Sequence, residues 1–336
     1  MSEVRYNWTK KEIQEIYNMP FMDLVYRAAT VHRNHHNPQE VQVCTLLSVK
    51  TGGCPEDCAY CPQAARYHTD VKVQRLLPVA DVIKSAETAK ENGSTRFCMG
   101  AAWREVRDNR DFDNVLEMVK GVNKLGMEVC ATLGMLSDEQ AAKLREAGLY
   151  AYNHNLDTSE EKYEEIITTR TYDDRLDTIE NARNNKLKVC SGGIIGLGET
   201  TEDRVAMIHT LATMPEHPES VPVNGLVPVD GTPLEKQPLV PIWDMVRMIA
   251  TARITMPQAM VRLSAGRERM TDEGQALCFL AGATSIFAGD TLLTTPNPEV
   301  SRDKQLFQTL NIKPRKSFKE GDQPKVEFDQ IPSVQV

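Results

Sequence analysis

The chain is 336 residues long, 41% apolar and 26% charged, with a formal net charge of −8, a composition that specifies a globular protein with ample core. The acidic balance excludes a general nucleic-acid binder, which needs a basic face for phosphates, and no apolar run approaches the ~18 residues of a membrane span. With no hydrophobic signal core after Met1, the expectation is a cytoplasmic protein whose eight cysteines are thiols or metal ligands, not a disulfide framework.

Residues 8–31 read as helical, with Thr9 as N-cap and Ile13, Ile16, Tyr17, Phe21, Leu24 and Val25 at helical intervals. Residues 32–38 are polar and end in Pro38, so they form a connection in which His35 and His36 are expected to be solvated. From Val41 onward eight β-like runs follow, at 41–49, 95–101, 127–133, 149–155, 187–194, 221–226, 260–264 and 284–288. They alternate with amphipathic helical stretches such as 79–92, 112–125, 137–147, 201–214 and 242–256.

Repeated βα order demands a parallel sheet with helices outside. Eight strands suffice to close a (β/α)8 TIM-type barrel, with a doubly wound open sheet as the alternative. Ser137 with Gln140 three residues on predicts a capped helix start, and Gly148 its stop. Thr200 and Thr201 followed by Glu202 and Asp203 predict another start. The expected organisation is an N-terminal helical extension over 1–40, the barrel over 41–311, and a polar, loosely attached or disordered tail over 312–336.

Chemistry concentrates after the first strand, in Gly53-Cys54-Pro55-Glu56-Asp57-Cys58-Ala59-Tyr60-Cys61-Pro62. C-x3-C-x2-C spacing lets one loop offer three thiolates to a metal centre, and both zinc and iron–sulfur clusters favour thiolates. A structural zinc site closes with four ligands. Three thiolates on a four-iron cube leave one iron free for a substrate or cofactor. A zinc knuckle completed by His68 and a redox thiol pair are the alternatives that spacing leaves open.

Other cysteines fall on strands: Cys98 on the second, Cys130 on the third, Cys190 on the fifth, with Arg262 on the seventh. Inside a closed barrel these would converge on one layer. A buried arginine costs several kcal/mol unless paired, and thiolates or sulfides would pair it, so the four suggest a second metal site. Cys44 and Cys278 have no partners at telling positions and read as structural. Polar side chains at strand ends (Asn153, Asn155 and Asp157 after the fourth, Asn224 on the sixth) suit the C-terminal rim, where barrel active sites are built. The Ser191-Gly192-Gly193-Ile194 stretch does not fit a dinucleotide fingerprint; its glycines are expected to let a nucleoside lie against the backbone. Arg175 is a candidate carboxylate partner and Trp103 an apolar wall for a small substrate.

The cysteine loop resembles the signature of the radical S-adenosylmethionine (radical SAM) enzymes. Together with Phe97-Cys98-Met99-Gly100-Ala101-Ala102-Trp103, Tyr152-Asn153-His154-Asn155-Leu156-Asp157, Gly193-Ile194-Ile195-Gly196-Leu197-Gly198-Glu199 and Val261-Arg262-Leu263-Ser264-Ala265-Gly266-Arg267, the chain resembles the biotin synthase family over residues 6–317. The resemblance implies a homodimeric barrel that inserts sulfur into dethiobiotin. Cys54, Cys58 and Cys61 would hold a 4Fe–4S cluster that binds S-adenosylmethionine, and Cys98, Cys130, Cys190 and Arg262 a sulfur-donating 2Fe–2S cluster. It implies further that Asn155 and Asp157 touch the cofactor ribose, Arg175 its carboxylate, and Ile194 and Val227 its adenine, with Trp103, Asn153, Asn155 and Asn224 near the substrate. A reducing protein such as flavodoxin or ferredoxin and the iron–sulfur assembly machinery are the implied partners. Where many radical SAM enzymes carry two glycines and an acid, this chain has Gly100-Ala101-Ala102, so backbone carbonyls are expected to receive the cofactor's amino group. A methylornithine synthase, which needs no inner sulfur source, and a zinc-stabilised binding barrel are the rival readings.

Overall fold

The computed structural model describes residues 4–318. Two helices, α1 (Lys10–Tyr17) and α2 (Phe21–His35), precede the sheet. The first half of the βα alternation runs β1 (Glu40–Lys50), α3 (Val79–Glu91), β2 (Arg96–Ala101), α4 (Arg110–Lys124), β3 (Glu128–Thr132), α5 (Asp138–Glu146), β4 (Ala151–Asn153), α6 (Glu160–Ile166) and α7 (Tyr172–Asn184). It continues with β5 (Lys188–Cys190), β6 (Gly193–Ile195), α8 (Thr201–Ala212), β7 (Ser220–Gly225), α9 (Ile242–Thr255), β8 (Met260–Leu263), α10 (Asp272–Leu280) and β9 (Ser285–Phe287). A short hairpin, β10 (Thr291–Leu292) with β11 (Thr295–Pro296), then α11 (Val300–Leu310) and β12 (Lys313–Pro314) complete the described chain.

All strand pairings around the main sheet are parallel, and β9 returns to β1 with Gln42 opposite Ser285, so the sheet closes. That closure removes the open-sheet alternative. The eight expected strands are present. The fifth is split into β5 and β6 by Ser191 and Gly192, which lie outside regular pairing.

A Cβ on Gly192 would run into the Pro222 carbonyl of β7, and one on Gly193 into the Met207 sulfur of α8. Both glycines are thus required by packing within the fold.

The expected single N-terminal helix is two. Pro20 has no N–H to continue a helix and disfavours helical geometry at Met19, so the chain breaks and restarts at Phe21. Helix α2 also runs into the expected connection, ending at His35, and His36 is buried instead of solvated. Arg253 of α9, itself fully buried, donates to His36 Nε2 at 2.7 Å and to the carbonyls of Pro257 and Ala259 at 2.8 Å each. The caps are as the sequence specifies: Ser137 with Gln140 and Thr200 with Asp203 form reciprocal capping boxes.

Charged side chains floor the barrel. Arg96 is inaccessible to solvent and pairs with Glu128 at 2.8 Å and Glu219 at 2.9 Å. Gln42 donates to Glu128 at 3.0 Å, and Arg315 reaches the same carboxylate at 3.2 Å. The start of the expected loose tail is therefore docked: β12 pairs with the beginning of β1, and Arg315 stacks over Phe318. Residues 319–336 of that tail lie outside the described part of the chain.

Candidate active site

The three-cysteine loop leaves β1 at the C-terminal rim of the barrel. Gly52 (φ 69°) and Gly53 (φ 65°) turn it through the left-handed region, which glycine enters without a Cβ penalty. The loop then folds on itself: Cys54 N–H donates to Gln63 O at 2.9 Å, and Ala65 N–H returns to Cys54 O at 2.8 Å. Asp57 anchors it to the segment after α6, accepting from the N–H groups of Thr168 at 2.9 Å and Thr169 at 3.2 Å. Burial pushes the Cys58 thiol up to about 11 and Cys61 up to about 12, so metal binding here must displace protons.

A second network lies beside it. Tyr60 of the loop donates to Asp157 Oδ2 at 2.8 Å, and Arg175 pairs with the same oxygen. Arg175 also donates to Tyr163 OH and to Asn155 O, each at 2.7 Å. Burial works against its charge, but the Asp157 carboxylate, together with Tyr163, Tyr60 and Cys58, more than offsets this and keeps the guanidinium protonated. Asn155 Oδ1 accepts from Gly192 N–H at 3.2 Å, while Asn224 bridges Gly193 O and Ala265 N–H at 3.0 and 3.2 Å.

Deeper in the barrel, register brings the strand cysteines together. Cys98 lies directly opposite Cys130. Hydrogen bonds from Cys190 and Cys98 hold the Cys130 thiol well below its ordinary range. Arg262 directs Nη1 at Cys190 Sγ from 3.5 Å and Nη2 at Cys44 Sγ from 3.5 Å, with Nε bonded to Ser285 Oγ at 2.9 Å. The expected layer of Cys98, Cys130, Cys190 and Arg262 is thus assembled. Cys44, read as merely structural, belongs to the same buried cluster. Cys278 is buried in α10, away from it, and carries a thiol pushed up to about 12 by burial.

One cavity of about 320 Å³ joins the two cysteine sets, within the size range of small-molecule pockets. Cys54, Cys58 and Cys61 line it together with Cys98, Cys130 and Arg262; Cys190 does not, but its sulfur lies 3.5 Å from Arg262 Nη1. Trp103, Asn153, Asn155, Asp157, Arg175, Asn224, Ile194 and Val227 line it too. Gly100, Ala101 and Ala102 also face it.

Sequence reasoning missed several walls. Arg170 lines the cavity with Nε and Nη1 buried and without hydrogen-bond partners, and Glu56 does so with Oε1 in the same condition. Their ion pair is loose, at 3.8 Å. His154 is held well below its ordinary range by burial and by the Arg175 and Arg170 charges, and its Nε2 has no partner. Leu292, Leu293 and Thr295 of the β10–β11 hairpin also line the cavity. Glu56 and His154 lie inside motifs visible in the sequence, but spacing along the chain does not reveal which side chains reach the cavity.

The donor chemistry fits clusters. Among the described residues no three His, Cys, Asp or Glu side chains converge on a point as one metal ion requires. In a four-iron cluster each thiolate binds a different iron, so the thiolates stay further apart than on a single ion. Buried arginine N–H groups without partners suit an anionic ligand such as a carboxylate.

A closed parallel barrel with a three-cysteine loop at its rim defines a radical SAM enzyme, and residues 48–211 match the model of the Radical SAM superfamily. Residues 222–313 match the Biotin and Thiamin Synthesis associated domain. The chain is 74% identical to the biotin synthase of Cytophaga hutchinsonii, covering 100% of both chains. It is 57% identical to the mitochondrial biotin synthase of Arabidopsis thaliana, over 98% of this chain and 88% of that one. The chain belongs to the biotin synthase family, radical SAM enzymes that use S-adenosylmethionine and a 4Fe–4S cluster, with a 2Fe–2S cluster typical of the family. Among solved structures, methylornithine synthase superposes with a TM-score of 0.77 at 19% identity, over 93% of this chain and 95% of that one, a likeness of fold alone. No helix among the described residues is long and apolar enough to cross a membrane.

Proposed function

We propose that this chain converts dethiobiotin to biotin inside the 320 Å³ cavity, with Cys54, Cys58 and Cys61 holding the 4Fe–4S cluster and Cys98, Cys130, Cys190 and Arg262 the 2Fe–2S cluster. The observation that carries the reading is that Cys54, Cys58 and Cys61 line the same cavity as Cys98, Cys130 and Arg262, with Cys190 directly behind Arg262. When bound, the outer cluster and S-adenosylmethionine supply a 5′-deoxyadenosyl radical that takes hydrogen from the substrate, and the inner cluster supplies the sulfur.

The protein's own part is to bind, orient and exclude water, since any loose hydrogen donor would quench a primary alkyl radical. Asn155 and Asp157 take the cofactor ribose, and Ile194 and Val227 flank its adenine. Arg175 meets the methionine carboxylate together with Arg170, whose unpartnered N–H groups leave it freer to do so. The carbonyls of 100–102 receive the amino group. Asn153, Asn155 and Asn224 hold the substrate's polar ring, and Trp103 packs on its apolar part. The barrel over 41–311 acts as one catalytic unit.

The working enzyme is a cytoplasmic homodimer that receives electrons from a flavodoxin or ferredoxin and clusters from the iron–sulfur assembly machinery. Met22 and Tyr26 of α2 and Trp243 of α9, exposed on helices that pack together, support a dimer.

Anaerobic reconstitution with iron and sulfide tests the central reading. The wild type should hold about six irons and make biotin, and a Cys98→Ala/Cys190→Ala variant about four and none. About four irons in both, with cofactor cleavage but no biotin, would refute sulfur insertion.

A further inference from the structure

Cys44 is the residue for which the proposed function has no use, yet it completes a ring. Its side chain packs in one buried cluster with those of Cys98, Cys130 and Cys190. Arg262 Nη1 lies 3.5 Å from Cys190 Sγ, and Nη2 lies 3.5 Å from Cys44 Sγ, so four thiols and one guanidinium close on one another around the barrel. All four thiols are buried.

The side chains around Arg262 fix this geometry. Ser285 Oγ accepts from Arg262 Nε at 2.9 Å, donates to Gln42 Oε1 at 3.0 Å and sits 3.6 Å from Cys44 Sγ. The guanidinium rests 4.6 Å above the Phe287 ring, and Phe287 is the register partner of Cys44. Whatever Nη2 touches, the Cys44 sulfur is therefore beside it.

Ligand chemistry ranks the two neighbours. Arginine carries five donors and no acceptor, so it must lose a proton to bind iron. A thiolate is the ordinary ligand of iron–sulfur clusters. We infer that Cys44 is a reserve ligand of the inner 2Fe–2S site, able to bind the iron assigned to Arg262 when the arginine is absent or displaced. The inference rests on the two-cluster reading of the site. It assigns this chain four sulfur ligands for two irons, against three in the reading above. A plain core thiol would instead use Cys44 only for volume and for its contacts with Arg262 and Ser285. Cys44→Ser keeps both and removes the soft ligand, which separates the two roles.

The test is iron and sulfide content after anaerobic reconstitution of the full chain, with Mössbauer spectra, in wild type, Cys44→Ser, Arg262→Ala and Cys44→Ser/Arg262→Ala. The four irons of the outer cluster serve as the folding control in every variant. Wild type, Cys44→Ser and Arg262→Ala should each hold about six irons, and the double variant about four. In Arg262→Ala the two inner irons should become spectroscopically alike, both in all-sulfur surroundings. Arg262→Ala at about four irons, or the double variant at about six, would overturn the reserve-ligand role while leaving two clusters in the wild type. About four irons in the wild type would instead overturn the two-cluster reading and this inference with it.

Discussion

Removing the Asp157 charge tests whether the network joining the cysteine loop to the barrel is built as described. Asp157 and Arg175 are each 3% exposed, and the Asp157 oxygen that meets Arg175 also accepts from Tyr60 of the loop. In Asp157→Asn the shape is kept, but the Arg175 guanidinium keeps only neutral partners, Tyr163 OH and Asn155 O. Breaking one side of a buried pair costs about 3–5 kcal/mol, a large share of the roughly 5–15 kcal/mol that holds a domain together. With a urea slope of about 3 kcal/mol/M, the unfolding midpoint of the metal-free chain should fall by about 1 M or more. Arg175→Met strands the carboxylate in turn, so the double variant should cost less than the two singles together, by about 0.5–3 kcal/mol. On the 4Fe–4S protein, losing the charge-assisted bond proposed between Asp157 and the cofactor ribose, worth about 1.5–3 kcal/mol, should weaken S-adenosylmethionine binding about 10- to 150-fold. Asp157→Asn within about 1 kcal/mol of wild type, or strictly additive single variants, would refute the reasoning.

The barrel floor gives a related expectation: Arg96→Met strands Glu128 and Glu219 and should cost about 3–5 kcal/mol in urea unfolding, whereas adding Glu128→Gln and Glu219→Gln should recover much of that loss. Gly192→Ala places a Cβ on the Pro222 carbonyl, where neither backbone can yield, and should cost about 1–3 kcal/mol by overpacking; an unchanged unfolding midpoint would count against that fit. Stability of the metal-free chain should also fall with acid. His32, His36 and His154 are held well below their ordinary range, chiefly by burial and then by arginine charges, so the unfolded chain binds protons near pH 6.5 that the folded chain refuses. Stability is therefore lost as pH drops below about 6.5, by up to about 1.4 kcal/mol per pH unit for each histidine. A flat urea midpoint from pH 7 to 5.5 would show that these rings are not buried and neutral.

Local signals in the sequence carried much of the architecture. Alternating apolar runs located eight strands, capping residues located helix starts, and the C-x3-C-x2-C spacing located the outer site, because each depends only on neighbours along the chain. Places on separate strands likewise pointed to Cys98, Cys130, Cys190 and Arg262 as one inner group once the barrel closes. What alternation cannot supply is height. Strands in a closed barrel are tilted and staggered, so the level of a side chain depends on register with the next strand. Cys44 pairs in register with Arg96, and Leu46 with Cys98, yet Cys44 shares one buried cluster with Cys98, Cys130 and Cys190. No feature within the first strand announces this. The same holds for His36, buried because α2 outruns its apolar pattern to reach Arg253, and for Gly192, whose missing Cβ matters only because β7 lies against it. The sequence by itself determined which elements form and which faces they bury. Only the tertiary structure decided which buried side chains meet, because register and closure are set by the packing of the whole sheet.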